Sequence, residues 1–120
     1  MYFDLTQKII KCYYEVYNTL GFGFLEQVYE KALLYELKSS GLYVEDQKKI
    51  EVFYQKQNVG VYYADLVVEN KVIIELKAVK RLTPEFSAQL LNYLKATNFD
   101  VGLLMNFGVE PEFKRLICDF

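Results

Sequence analysis

The 120-residue sequence has no histidine and no tryptophan, two prolines, two cysteines and no long apolar run. Each absence removes a class of function. Without histidine, Ser-His-Asp and Cys-His catalysis and histidine-ligated zinc are excluded. Cys12 and Cys118 lie far apart and match no zinc or redox spacing. Two isolated thiols fit a reducing cytosol, and buried free thiols suit this chain better than a disulfide. No apolar run approaches the ~20 residues of a membrane span. The start, MYFDLTQKII, also lacks the basic residues and apolar core of a signal peptide. The expectation is a cytoplasmic protein with no membrane partner. A positive excess is missing too. The net charge of -2 and pI near 5.2 argue against a broad basic surface, leaving room only for a local basic cluster.

What is present is an ordinary globular balance, 52% hydrophobic and 25% charged, in a length that makes one domain over 1–120 with a real core. The organising stretch is Tyr63 to Val79, YADLVVENKVIIELKAV. It reads as two strands joined by a turn at Glu69-Asn70-Lys71, where Asn suits the backbone angles of a hairpin loop. With a three-residue loop, facing residue numbers sum to 140, so Asp65 stands opposite Glu75 and Tyr63 opposite Lys77. Alternation puts Ile73, Glu75, Lys77 and Val79 on one face and Val72, Ile74, Leu76 and Ala78 on the other. Two facing carboxylates repel, and protonation, a cation or full solvation can relieve them. A divalent cation beside Lys77 is one reading, since hard oxygen ligands suit Mg²⁺ or Mn²⁺. A solvated edge hairpin is the other. The apolar neighbours Val67, Ile73 and Val79 favour the cation.

Ahead of the hairpin, Ile9, Ile10, Tyr13, Val16, Tyr17 and Leu20 have the spacing of an amphipathic helix from Thr6, capped by Asp4 or Thr6. Gly21-Phe22-Gly23 breaks it. A second helix, Phe24 to Ser39, carries an apolar stripe of Leu25, Val28, Tyr29, Ala32, Leu33 and Leu37 and stops before Gly41. On its own, Glu26 reads as a complement to the helix dipole. Leu42 to Tyr54 predicts a strand with Val44, Ile50, Val52 and Tyr54 on one face. Gln55 to Asn58 then turns, and Val59 to Val68 returns to complete a three-stranded meander. Thr83 and Pro84 start a helix to Thr97, with Phe86, Ala88, Leu90, Leu91 and Leu94 for burial and Gln89 and Tyr93 on one face. Val101 to Met105 is a short strand able to pair parallel with Val72–Val79. Phe113 to Cys118 is an edge strand guarded by Lys114 and Arg115.

This order of elements resembles the core of the PD-(D/E)XK nucleases: an α/β, restriction-endonuclease-like mixed β-sheet flanked by helices. The segment Gly23-Phe24-Leu25-Glu26-Gln27-Val28-Tyr29 is similar to the signature of the GxxExxY proteins within that superfamily. Tyr63-Ala64-Asp65-Leu66, Glu75-Leu76-Lys77-Ala78-Val79, Ala88 to Lys95, Gly102 to Gly108 and Glu112-Phe113-Lys114-Arg115 match the same pattern in order. Ala64 stands where the superfamily has Pro, and Phe86 where many members have His.

The resemblance implies a metal-dependent nuclease, acting first on DNA. Asp65, Glu75 and the Leu76 carbonyl would hold Mg²⁺ or Mn²⁺, and Glu26 would complete the cluster directly or through water. Lys77 would activate the attacking water and stabilise charge on the phosphate. Gln89 would position Lys77 or the substrate, and Tyr93 would line the same wall. Lys71, Lys80, Arg81 and Lys95 would contact the nucleic-acid backbone. The competing reading is a non-catalytic interaction or homodimeric module that keeps the fold, which small size, acidic pI and eleven tyrosines also suit.

Overall fold

The computed structural model describes residues 1–118. Two helices, α1 (Phe3–Leu20) and α2 (Glu26–Ser39), precede the meander β1 (Val44–Tyr54), β2 (Gln57–Val68) and β3 (Val72–Lys77). Helix α3 (Pro84–Lys95) then crosses to β4 (Val101–Phe107), and β5 (Pro111–Ile117) closes the chain. The sheet order is β1-β2-β3-β4-β5. All neighbours are antiparallel except β3 and β4, which pair parallel as the intervening helix requires. This is the mixed sheet the sequence predicts.

Two cores cover its faces. One packs Ile9, Tyr13 and Val16 of α1 and Tyr29, Leu33 and Leu37 of α2 against Leu66, Val68, Val72, Ile74 and Leu76. The other packs Leu90 and Leu94 of α3 against Ile50, Ala64, Val67, Ile73 and Leu104. Strand β4 lies between them, buried at every position, so VGLLMNF is continuous rather than alternating. Gly102 leaves room there for Leu90, whose side-chain carbon would lie 3.0 Å from an added Cβ.

The hairpin register is the predicted one, with Leu66, Val67 and Val68 facing Ile74, Ile73 and Val72. Glu69 and Asn70 both take left-handed angles (φ 53° and 54°). The ladder ends at Leu66 and Ile74, and β3 ends at Lys77 instead of Val79. Alternation also fails at one place. Leu66 and Ala64 are two apart on β2 yet belong to different cores, as do Val44 and Ile50 on β1. The predicted common face for Val44 and Ile50 is therefore wrong. Both strands reverse together at Gln47 and Asp65, which fall between the pairs Asp46–Leu66 and Lys48–Ala64, and Gln47 takes φ 48°. Beyond this point the β1–β2 ribbon turns its inner face onto α3.

Other expectations need correcting. Helix α1 begins at Phe3 after Tyr2, which has left-handed angles. Neither Asp4 nor Thr6 caps it, because the Thr6 hydroxyl donates back to the Phe3 carbonyl at 3.0 Å. Leu25 and Val28 are exposed, so the apolar stripe of α2 is narrower than its sequence suggests. Ala88 is exposed too. Arg115 reaches across to the Thr6 hydroxyl and the Met1 carbonyl, which ties the N-terminus to β5.

The end of β4 is fixed by buried Asn106. Its amide donates to the Val79 carbonyl at 2.9 Å and to Glu112 Oε1 at 3.3 Å, and its Oδ1 accepts the Val79 N–H at 3.0 Å. The Tyr13 hydroxyl donates to the Asn106 carbonyl at 2.5 Å and accepts the Glu112 N–H at 3.0 Å. Burial raises the Tyr13 hydroxyl above the usual phenol range. Gly108 is required beside this network, since an added Cβ would sit 2.6 Å from the Val79 carbonyl. Together these contacts set the path of the chain immediately after Lys77.

Candidate active site

The three acids of the sequence reading come from two strands and a helix start. Where β2 and β3 stop pairing, Asp65 Oδ2 accepts the Leu76 N–H at 2.8 Å, so a side chain takes over from the backbone ladder. Its Oδ1 accepts from Gln47 Nε2 at 3.2 Å, and the same amide donates to Glu30 Oε1 at 2.8 Å. The Asp65 carboxylate also meets those of Glu75 and Glu30. Asp65 is thus the hub of the acidic cluster.

Glu75 is largely removed from water. Burial first, and then the Asp65 charge, push its carboxyl up to about 8, while Lys77 and a hydrogen bond from the Tyr62 hydroxyl pull it down. Tyr62 in turn stacks face to face on Tyr93, with ring centroids 3.6 Å apart. Tyr93 therefore reaches the cluster through Tyr62. Burial and the Glu75 charge raise the Tyr62 hydroxyl well above its ordinary value, so it keeps its proton and donates a hydrogen bond to Glu75.

Glu26 opens α2. Though the residue is exposed, partial burial of its carboxyl raises its pKa, Asp65 adds to this, and Lys77 opposes it. Its position follows from the loop before it. Tyr29 is fully buried and stacked on Phe107 at 4.2 Å, and its hydroxyl donates to the Gly21 carbonyl at 2.6 Å and accepts the Phe24 N–H at 3.2 Å. Gly21 (φ 68°) and Gly23 (φ 112°) make the bend that only glycine adopts readily. The Gly and Tyr of G-x-x-E-x-x-Y are the supports that present Glu26. The Lys77 ammonium, half-buried, lies over the Phe86 ring, 4.9 Å from its centroid.

Glu30, Tyr62 and Gln47 belong to the cluster and were absent from the sequence reading. Glu30 follows Glu26 by one helical turn, which was a usable signal. Burial also raises the Glu30 carboxyl, Asp65 adds to this, and the Gln47 amide opposes it. Other expected residues lie elsewhere. Gln89 is exposed on α3, one turn before Tyr93. Lys80 and Arg81 follow β3 and line a cavity of about 330 Å³ with Val109, Glu110 and Glu112. Lys71 sits at the opposite end of β3, with its ammonium over the Tyr2 ring, and α3 carries Lys95 back toward that same end.

The donors fit a hard divalent cation in kind, being carboxylates and a backbone carbonyl with no thiol or imidazole nearby. Glu26, Glu30 and Glu75 are raised first by burial and then by the Asp65 charge, and a cation would relieve the second of these. Among the described residues, however, no three acidic or cysteine side chains converge closely enough to form a metal-holding group. Asp65 meets Glu75 and Glu30 directly, and Glu26 feels its charge. No helix among the described residues is long and apolar enough to cross a membrane.

Comparison with known proteins adds two observations. The chain is similar to the crystal structure of SSO0001, with a TM-score of 0.57 at 19% identity over 79% of this chain. It spans about half the length of that chain, 51%, and at this identity the likeness speaks to fold alone. No curated protein matches the sequence. The sequence profile of the PD-(D/E)XK nuclease superfamily matches residues 3–116, taking in the helices, the meander with Asp65, Glu75 and Lys77, and the closing strands. With the mixed sheet flanked by helices as its frame, the chain belongs to the PD-(D/E)XK nuclease superfamily.

Proposed function

We propose that this protein is a metal-dependent nuclease that hydrolyses phosphodiester bonds in DNA. The observation that carries the reading is the meeting of Asp65, Glu75 and Lys77 where β2 and β3 part, on a chain of this superfamily. The segment Gly23 to Tyr29 further supports placing it among the GxxExxY proteins. Asp65, Glu75 and the Leu76 carbonyl would hold Mg²⁺ or Mn²⁺, with Glu26 and Glu30 on its outer side. A cation there supplies Lewis acidity toward the phosphate and counters the charge developing on its oxygens. The Lys77 ammonium, steadied over Phe86, orients the phosphate and the attacking water. The Tyr62 hydroxyl holds one oxygen of Glu75 and so sets the direction of its other oxygen. Lys80 and Arg81 are placed to meet the flanking backbone.

The test is Mn²⁺- and Mg²⁺-dependent cleavage of duplex, single-stranded and branched DNA and of RNA by wild type, Asp65→Asn and Lys77→Ala. Loss of about 100-fold or more in both variants, with the fold intact, is expected. Cleavage that persists in both would refute the assignment. One observation favours a non-catalytic module instead: Glu75 is already engaged by the Tyr62 hydroxyl. Mn²⁺ binding by calorimetry without cleavage of any substrate would select that second reading.

A further inference from the structure

We infer that the groove between the α1–α2 loop and the segment after β3 receives an unpaired base of the DNA strand, with Phe22 and Phe24 as its stacking surfaces. This rests on the nuclease reading above and names the form of its substrate. The groove has a volume of about 270 Å³ and is walled by Phe22, Phe24, Val79, Lys80, Phe107 and Val109. Phe22 is 58% exposed and Phe24 47%, a large apolar area to leave facing water beside a charged site.

Both walls run directly into the acidic cluster. Phe24 is two residues before Glu26, and Ala78 and Val79 follow Lys77. A strand with one phosphate at Lys77 would run its neighbouring nucleotide toward this groove along the path of residues 77–80. The loop is also held in place. Tyr29 bonds both the Gly21 carbonyl and the Phe24 N–H, and its ring meets Phe24 edge-on at 6.0 Å. A display fixed in advance loses little freedom when a base arrives.

Charge separates this occupant from an apolar protein segment. Lys80 borders the groove and also lines the adjoining 330 Å³ cavity with Arg81, so a cation stands on the rim where a phosphate would pass. Glu110 and Glu112 line that second cavity too. Glu112 Oε1 accepts the Leu82 N–H and the Asn106 amide, which holds this carboxylate against the fold, and Glu110 and Glu112 both oppose the cations of that second cavity. Aromatic rings next to a lysine, opening onto phosphate chemistry, are the combination that binds single strands through stacking and backbone contact. A base pair inside a duplex does not offer a free ring face to such a groove.

The experiment is fluorescence anisotropy in chelator with labelled oligothymidylate, an abasic strand of the same length, and a blunt duplex. Wild type should bind oligothymidylate more tightly than the abasic strand or the duplex. Phe22→Ala should lose about fivefold or more on oligothymidylate and nothing on the abasic strand, whereas Phe22→Trp should retain binding. Equal loss on both strands, no loss, or preference for the duplex would overturn the inference. So would a wild-type dimer that Phe22→Ala converts to monomer, which would give this face to a second copy of the chain. Metal-dependent cleavage of duplex DNA alongside any of those results would leave the nuclease reading standing and remove only the groove. Base-dependent binding with no cleavage of any nucleic acid would do the reverse.

Discussion

Asp65 Oδ2 accepts the backbone N–H of Leu76 at 2.8 Å, at the point where the β2–β3 ladder has already ended. A side chain that replaces a backbone partner has two jobs, and substitutions separate them. Asp65→Asn keeps an acceptor for Leu76 and can donate to Glu30, so its stability should match wild type within about 1 kcal/mol. Asp65→Ala leaves the Leu76 N–H unpaired and should cost about 1–3 kcal/mol in urea unfolding. Both should abolish metal-dependent cleavage.

Glu75 gives a pH dependence of definite sign. Its carboxyl sits at about 8 in the folded chain against an ordinary value of 4.5, so the folded state binds this proton more tightly than the unfolded state. The resulting stability is complete below about 4.5 and is lost as pH rises through about 8. In chelator, the melting temperature should fall between pH 4.5 and pH 8 and level off above, a window set by that shift. Glu75→Gln should flatten the fall. Mn²⁺ at about 100 times its Kd should offset it by about 2.7 kcal/mol.

Tyr62→Phe removes the hydroxyl that lowers the Glu75 carboxyl but retains the ring stacked on Tyr93. The fold should survive. The Glu75 proton should then be held more tightly, and the pH at which Mn²⁺ binding reaches half its plateau should move upward. Calorimetric titrations from pH 6 to pH 9, the window around that raised carboxyl, would measure the displacement. An unmoved midpoint would exclude Tyr62 from tuning the site.

Asn106→Leu should be among the most damaging substitutions remote from the acids. It strands the Val79 N–H and carbonyl beside a buried position and removes one of two donors to Glu112 Oε1. A loss on the order of 2–4 kcal/mol in urea unfolding is expected. Any residual cleavage should fall as well, because Val79 sets the exit of the strand that carries Lys77.

Much of the frame was readable because it depends on local chemistry. The 140-sum register of the hairpin follows from three turn residues, and both left-handed positions fall at Glu69 and Asn70. A parallel β3–β4 pair follows from the helix between them. Asp65, Glu75 and Lys77 could be singled out because charges interrupt an otherwise apolar strand pair. Gln47 and Tyr62 could not, since their part in the site comes from a reversal of alternation that no period-two pattern encodes. Leu25 and Val28 misled as well. Their spacing fits the helix stripe, but Leu25 is the residue before α2 and both side chains are exposed.

The paired reversal at Gln47 and Asp65 has a consequence for how the molecule tolerates change. Deleting or inserting one residue on either side would rotate the distal ribbon by half a turn, exposing Ile50 and Ala64 and drawing Tyr62 away from Glu75. Surface ribbons elsewhere in a protein absorb length changes at their tips. Here the tip at Gln55 and Lys56 has that freedom, and the stem that pairs Val44–Ile50 with Tyr62–Val68 has none.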